Sequence, residues 1–441
     1  MSAHPITSEC GIRSRVLRTR EAARSLARLP GKSRNEILIA AAAAIENRSD
    51  EILAANQVDY VTLASEIASG RVSEAFARRL RTSAVGIKEM AARVRDVAAL
   101  DDPLERPHAT TQLDDGLTLV KVPCPLGVIA VIFESRPDVI PQVASLAIKS
   151  GNGLVLKGGA EASCTNAVLA SIWREILVSH DEALADVICL LEDRSEVPLL
   201  LTLDREIDLV VPRGSTDFVE YIFRNSRIPV LGHGSGICHI YVDRSADLQV
   251  AVNVIVDAKT QYPAACNSVE KILVHEDLSG FLPVLIGQLH AAGVEVRACE
   301  RTAATCPDLP IVAAGEEDWS TEYCDLKLTV RVVRDLNEAI SHINRYGSRH
   351  TECILTEDRS AAELFLNEVD AASVFHNAST RFADGFRYGF GAELGISTSK
   401  LHARGPVGME GMLTYKYKLR GSGQVVSTYA QGQRSFQHRR I

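Results

Sequence analysis

Four short aliphatic runs, Val128 to Phe133, Leu154 to Leu156, Val187 to Leu191 and Ile207 to Val211, are separated by stretches of helical character around Val143 to Lys149, Asn166 to Leu177 and Glu196 to Leu201. A strand that reaches its neighbour through a helix pairs parallel to it, because the crossover is too long for a hairpin. Strands covered on both faces read as unbroken apolar runs, as these do. The pattern predicts an α/β fold built on a doubly wound parallel sheet, a kind of sheet that binds ligands outside the carboxyl ends of its strands. It resumes at His239 to Val242 and continues through Lys271 to Val274, Leu328 to Val333, Glu352 to Leu355 and Ser373 to Phe375, enough for a second α/β domain.

Ahead of these blocks, residues from about 13 to 100 are rich in Ala, Arg, Glu and Leu and read as successive helices. Ser33-Arg34-Asn35-Glu36 matches a capping box before Ile37. Two segments flank the α/β blocks. Gly116 to Val122 reads as a projecting strand, and Leu413 to Leu419, Gly421-Ser422-Gly423 and Gln424 to Val426 read as a second hairpin. The last dozen residues read as a loose polar tail.

A chain of 441 residues needs more than one core. Its net charge of −8 opposes general nucleic-acid binding, which needs a cationic surface. No apolar run approaches the ~18 residues that span a bilayer, and Met1 to Pro5 lacks the core of a secretory signal, so a cytoplasmic protein is expected. The ten cysteines show no CxxC pair, which gives neither a disulfide framework nor a metal site.

One of those cysteines stands apart. Gln261-Tyr262-Pro263-Ala264-Ala265-Cys266-Asn267 is a short loop entering an apolar strand, where a thiol can attack a carbonyl beside backbone N–H donors. Three polar clusters accompany it. Glu134-Ser135-Arg136-Pro137 closes the first strand of the first sheet, where Arg136 could grip an anion in forked geometry or the loop could simply end the strand. Lys157-Gly158-Gly159 follows the second strand and precedes a helix, a setting for phosphate or ribose as well as an ordinary turn. The third cluster is Asn377 to Phe382 with Gly389 to Thr398 and His402 to Pro406, whose hydroxyls and arginines suit an anion. Gly232, Gly234 and Gly236 read as a domain crossover and not as a phosphate loop.

Pro125 to Ile129, Phe133 to Pro137, Lys149 to Asn152, Lys157 to Gly159, Pro212 to Gly214, Cys266-Asn267, Gly347 to Ile354, Asn377 to Phe382 and His402 to Gly408 together resemble the gamma-glutamyl phosphate reductases, over roughly residues 15 to 425. That family lies within the aldehyde dehydrogenase superfamily. The resemblance implies an aldehyde dehydrogenase-like fold, with two doubly wound α/β domains and a small β oligomerisation flap. It assigns 1–105 and 127–232, with a return over 395–410, to a nicotinamide-binding domain; 233–394 to a catalytic domain; and 106–126 and 411–441 to the flap and tail. Cys266, with Asn267, would be catalytic. Lys157, Gly158, Gly214, Ser215 and Glu322 would hold NADPH or NADP, and Arg136, Asn377, Ser379, Thr380, Arg381 and Arg404 the substrate; no resident metal is implied. The implied reaction is NADPH-dependent reduction of L-glutamyl 5-phosphate to L-glutamate 5-semialdehyde and phosphate through a cysteine thioester, in proline biosynthesis. A standalone reductase, a homodimer or higher oligomer, and functional coupling to glutamate 5-kinase are the implied states. Hydrolytic aldehyde dehydrogenases carry a general-base glutamate in a Glu-Leu-Gly-Gly pattern where this chain has Leu231-Gly232-His233-Gly234; a missing base fits a thioester handled by phosphate and not by water, with His233 as a substitute base the alternative there. A hydrolytic NAD(P)-dependent aldehyde dehydrogenase and an inactive scaffold are the alternatives.

Overall fold

Helices dominate the start of the chain because few residues there interrupt them: Pro5–Leu26, Gly31–Asn47, Ser49–Ala68 and Ala84–Ala99. The computed structural model describes residues 5–68, 80–134 and 136–441; part of the expected helical run and Ser135 lie outside the described residues. The second helix starts at Gly31, before the expected capping box, with Pro30 as its cap. The entry is set by a close approach: a Cβ on Gly31 would fall 1.9 Å from an Asp102 oxygen, and that carboxylate also takes the buried Arg34 at 2.5 Å.

The chain divides into two compact units, one of residues 1–231, 390–395 and 407–441, the other of 232–389 and 396–406. Only part of the 395–410 stretch therefore groups with the first unit. In the first, four parallel strands lie in the order Ile188–Leu191, Gly153–Lys157, Val128–Phe133, Leu209–Arg213. Successive strands step one way from Val128–Phe133, and then the chain crosses back to its other side. The sheet's direction of winding reverses between Val128–Phe133 and Leu209–Arg213, which opens a crevice at their carboxyl ends. Every residue of Val128–Phe133 is buried, as the unbroken apolar run requires.

The first unit also carries an antiparallel sheet ordered Leu413–Arg420, Leu117–Pro125, Ala109–Asp114, Arg439–Arg440. Leu413–Arg420 pairs on one side with Leu117–Pro125 and does not turn back as a hairpin, since the chain after Gly423 forms a short helix, Val426–Ala430. Nor is the tail loose. The Gln437 N–H donates to the Leu113 carbonyl, Tyr429 Oη donates to Asp114 at 2.8 Å, and Arg439–Arg440 pairs with the edge strand.

In the second unit seven parallel strands run Val312–Ala313, Glu295–Ala298, Lys327–Val333, Val269–His275, Cys238–Val242, Thr351–Leu355, Ser373–His376; the first two of these were not foreseen. Alternation of side chains divides the core in two. Ile240, Ile272, Val274, Val330 and Cys353 pack with Ala251 and Ile255 of the helix Leu248–Thr260 and with Leu285 and Ile286 of Leu282–Ala291. Tyr241, Leu273, Val333 and Ile354 pack on the other face with Ile340, Ile343 and Phe365. Each face buries one ionisable pair: Lys259 with Glu270 at 3.2 Å, and His239 with Glu352 at 3.0 Å.

Candidate active site

The loop after Leu248–Thr260 is pinned from several directions. Ser268 Oγ donates to the Ala258 carbonyl at 3.1 Å, and Asn267 Nδ2 donates to the Ala383 carbonyl at 2.8 Å. Gly236 lies against the Cys266 peptide so closely that a Cβ there would sit 1.9 Å from the Cys266 carbonyl oxygen. Cys238, which is fully buried, donates from Sγ to that same oxygen at 3.3 Å. The glycine string thus contributes a steric requirement beside the thiol.

Held this way, the half-buried Cys266 brings Sγ to 3.2 Å from His350 Nε2. His350 is buried, and its Nδ1 lies 2.8 Å from Thr351 Oγ1. If that nitrogen carries the ring proton and donates to the hydroxyl, Nε2 offers a lone pair to the thiol. The preceding residue, Arg349, adopts φ +62°, a left-handed turn that a side chain rarely takes and that delivers His350 into its strand. His233 stands edge-on to His350 with ring centroids 5.2 Å apart, and its Nδ1 donates to the Ile396 carbonyl at 3.2 Å. A carbonyl only accepts, so the tautomer is fixed with the proton on Nδ1.

All of this lies at the amino ends of the strands that begin at Cys238, Val269 and Thr351. The thiol rides on the segment that feeds a strand, so in this sheet it stands at the end opposite to the carboxyl ends that open the crevice of the first sheet.

Arg381 is buried on the one-turn helix Thr380–Phe382, with Nε donating to Gln261 Oε1 at 2.9 Å and its guanidinium 5.8 Å from the Tyr262 ring centre. Burial and the neighbouring Arg387 push its pKa down, while Cys266 acts in the opposite sense, so it shares the electrostatic surroundings of the thiol. Ser379 Oγ caps the turn by accepting the Arg381 N–H, and Thr380 Oγ1 is buried without a hydrogen-bond partner. Arg404 donates to Asp370 at 2.9 Å, where Lys400 at 2.8 Å and Arg349 at 3.7 Å also converge. Asn377 is placed differently. It follows the carboxyl end of Ser373–His376, its Oδ1 accepts from the Thr356 N–H at 2.9 Å and its Nδ2 donates to the Thr356 carbonyl at 3.0 Å. That is the carboxyl end of the strands, whereas Cys266 lies at their amino end, about 17 Å away along a five-residue strand. Asn377 ties two strand ends together through these bonds, and the structure does not bring it to the thiol. Glu322 is half-buried in the extended segment before Lys327–Val333, next to Thr321, whose carbonyl accepts from Lys271 Nζ at 2.7 Å.

In the first unit Arg136, Lys157, Gly158, Gly214 and Ser215 follow the carboxyl ends of three strands around the reversal point. Glu134 bridges two of them: its N–H donates to the Arg213 carbonyl, and its carboxylate accepts the Ser215 N–H at 3.0 Å, at the start of the helix Thr216–Asn225. A Cβ on Gly214 would meet that carboxylate at 2.5 Å. Lys157 is buried, its Nζ donates to the Gly158 carbonyl at 2.5 Å, and burial lowers its pKa. A Cβ on Gly158 would lie 2.2 Å from Asn166 Nδ2, and Asn166 Oδ1 is buried without a partner.

His350, Cys238 and the role of Gly236 escaped the sequence reading. His350 lies inside a stretch that carries the family resemblance, yet no spacing rule links it to a cysteine 84 residues earlier.

Comparisons with known proteins agree with this architecture. The aldehyde dehydrogenase family model matches residues 6–295. Gamma-glutamyl phosphate reductases of Cyanothece sp. and Synechococcus sp. (strain JA-3-3Ab) are 53% and 50% identical, covering 94% and 97% of this chain and 94% of each relative. The crystal structure of gamma-glutamyl phosphate reductase from Thermotoga maritima superposes with a TM-score of 0.89 at 41% identity, covering 93% of this chain and 99% of that one. A glyceraldehyde-3-phosphate dehydrogenase from Methanocaldococcus jannaschii, complexed with NADP, shares the fold at a TM-score of 0.67 and 16% identity, covering 95% of this chain and 96% of that one. With near-complete coverage at half identity, this chain belongs to the gamma-glutamyl phosphate reductases of the aldehyde dehydrogenase family.

Proposed function

We propose that the protein reduces L-glutamyl 5-phosphate to L-glutamate 5-semialdehyde with release of phosphate, using Cys266 as nucleophile and NADPH as reductant. The observation that carries this reading is the 3.2 Å contact between the Cys266 thiol and His350 Nε2. His350 takes the thiol proton, and Thr351 keeps the ring turned to receive it. The thiolate attacks the γ-carbonyl carbon, the bond from that carbon to the phosphate oxygen breaks, and a thioester on Cys266 results, which divides one hard displacement into two easier ones. Loss of the carbon–sulfur bond after reduction frees the aldehyde, which cyclises to pyrroline-5-carboxylate, and restores the thiolate. Arg381, with Ser379 and Thr380, is the anion ligand of the second unit; Arg404 supports it from the Asp370 cluster, and Arg136 is assigned to the acyl oxygen or phosphate.

The residues of the first unit fit a nicotinamide dinucleotide. Lys157 supplies a buried ammonium and Asn166 an unpartnered buried Oδ1, both next to Gly158 and suited to ribose hydroxyls or a 2′-phosphate, and Gly158 and Gly214 leave no room for side chains. Ser215 opens a helix already shown to accept a carboxylate at its N–H. Glu322 is assigned to the nicotinamide ribose. When bound, the cofactor supplies the hydride that reduces the thioester.

No described helix is long and apolar enough to cross a membrane, in keeping with a cytoplasmic enzyme. Its acyl phosphate would come from a glutamate 5-kinase. The test is the reverse reaction. Protein, pyrroline-5-carboxylate, NADP and phosphate should generate NADPH absorbance; turnover that does not need phosphate would instead establish a hydrolytic aldehyde dehydrogenase.

A further inference from the structure

Three side chains far apart in sequence converge on one point of the second unit. One ligand-capable atom from each of Cys266, His350 and His233 lies within 4.8 Å of the other two, and Cys266 Sγ and His350 Nε2 are already 3.2 Å apart. A tetrahedral zinc ion with a sulfur ligand at ~2.3 Å and nitrogens at ~2.0–2.1 Å requires its ligand atoms to stand roughly 3.3–3.6 Å from one another, so no pair in the set has to close by more than about 1.5 Å. The donors, one sulfur and two imidazole nitrogens, are those of zinc and not of magnesium or calcium, which take oxygen.

The surroundings favour binding as much as the ligands do. A ligating imidazole is oriented by a hydrogen bond from its other nitrogen. His233 has such a bond from Nδ1 to the Ile396 carbonyl, and His350 Nδ1 lies 2.8 Å from Thr351 Oγ1, which holds both rings in place. The loop carrying Cys266 is held by Gly236, Ser268 and Asn267, and does not have to be ordered on binding. Three protein ligands leave a fourth position for water.

We propose that Cys266, His350 and His233 form a zinc-binding site, and that an ion held there silences the thiol. Binding displaces the thiol proton to solvent and forms a Zn–S bond, so the sulfur pair that would attack a carbonyl is committed to the metal. The second half of this inference rests on the reading of Cys266 as nucleophile; the first half does not.

The experiment is a titration of metal-free, full-length protein with Zn2+ against a chromophoric chelator, beside alkylation of the wild type by iodoacetamide with and without zinc. Wild type is expected to take up one tight equivalent, and the Cys266 peptide to be protected from alkylation. His233→Gln, His350→Gln and Cys266→Ser should each weaken binding by more than the ~10–100-fold typical of losing an orienting hydrogen bond, and Thr351→Val by about that range. The wild-type alkylation result stands even if a variant fails to fold. No tight equivalent, or unchanged affinity in His233→Gln with Cys266 still alkylated, would overturn the site. Tight binding and protection in a protein that never turns over the acyl phosphate would leave the site standing and remove the enzymatic reading. Turnover that zinc at saturation leaves untouched would overturn the silencing.

Discussion

A cysteine's chemistry depends on who its neighbours are, and for Cys266 the decisive one is the imidazole 3.2 Å away. If the thiol makes the covalent bond, Cys266→Ala should retain less than about a tenth of wild-type turnover while binding NADPH almost unchanged, as measured by steady-state kinetics and fluorescence titration. If His350 takes the thiol proton, His350→Gln, which keeps a side chain of similar size, should lower kcat/KM by ~10²–10⁴. Equal activity in that variant would make the contact structural. Gly236→Ala tests position instead of chemistry: the new methyl meets the Cys266 backbone, which can yield only by moving the loop. Misplacement by about 1 Å can cost ~10²-fold. A variant that lost thermal stability yet kept kcat would refute the link between that glycine and the thiol's aim.

At the scale of elements, the strand Val269–His275 carries two adjacent ionisable residues into the core on opposite faces of its sheet. Burial raises the pKa of Glu270 to about 7 against the pull of Lys259, whose own pKa burial lowers. Desolvation therefore outweighs attraction in this pair. Lys259→Met alone should cost roughly 3–5 kcal/mol, and Lys259→Met combined with Glu270→Gln should recover most of it, since Gln still offers an acceptor for the Tyr323 N–H. Additive losses in urea denaturation would contradict this. Lys271 points to the other face, donates to the Thr321 carbonyl and lies 4.4 Å from the Tyr323 ring centre, and burial lowers its pKa from 10.5 to about 8. Below pH 8 it is charged in both states and the folded protein bears the whole cost of burial. Between pH 8 and 10.5 the unfolded chain binds the extra proton, so stability from this group rises with pH, by about 3 kcal/mol in all. The difference between wild-type and Lys271→Met stability curves should show that rise; a flat difference across the window would refute it.

For the whole molecule the open question is how the flap sheet ends. Leu413–Arg420 is its edge, eight residues long, with Tyr415, Tyr417 and Leu419 exposed. Long apolar edges are rarely left unpaired, because they offer a template to any other strand. Pairing with the same sheet of a second copy would satisfy the edge in a two-fold homodimer. Sedimentation of the full-length protein at micromolar concentration should give a dimer or larger assembly, and removing residues 415–441 should give monomers or aggregates with poor activity. An active full-length monomer would dismiss the flap as an assembly device.

The parallel sheets were legible because burial on both faces leaves a local mark: an uninterrupted run such as Val128 to Phe133 needs no knowledge of its partners. Cys266 was legible for a similar reason, since a loop feeding a strand is local. Strand pairing in the flap was not. Leu413 to Leu419 has the composition of one arm of a hairpin, and only the rest of the fold determines that its partner is Leu117–Pro125 and that the last residues pair on the far edge. The same holds for the site. The residues around the thiol, the two imidazoles of His350 and His233 and the close-packed Gly236, converge only because three parallel strands begin at one end of the sheet. Periodicity and turn chemistry are short-range and survive in a string of letters, whereas proximity between distant segments exists only once the chain has packed.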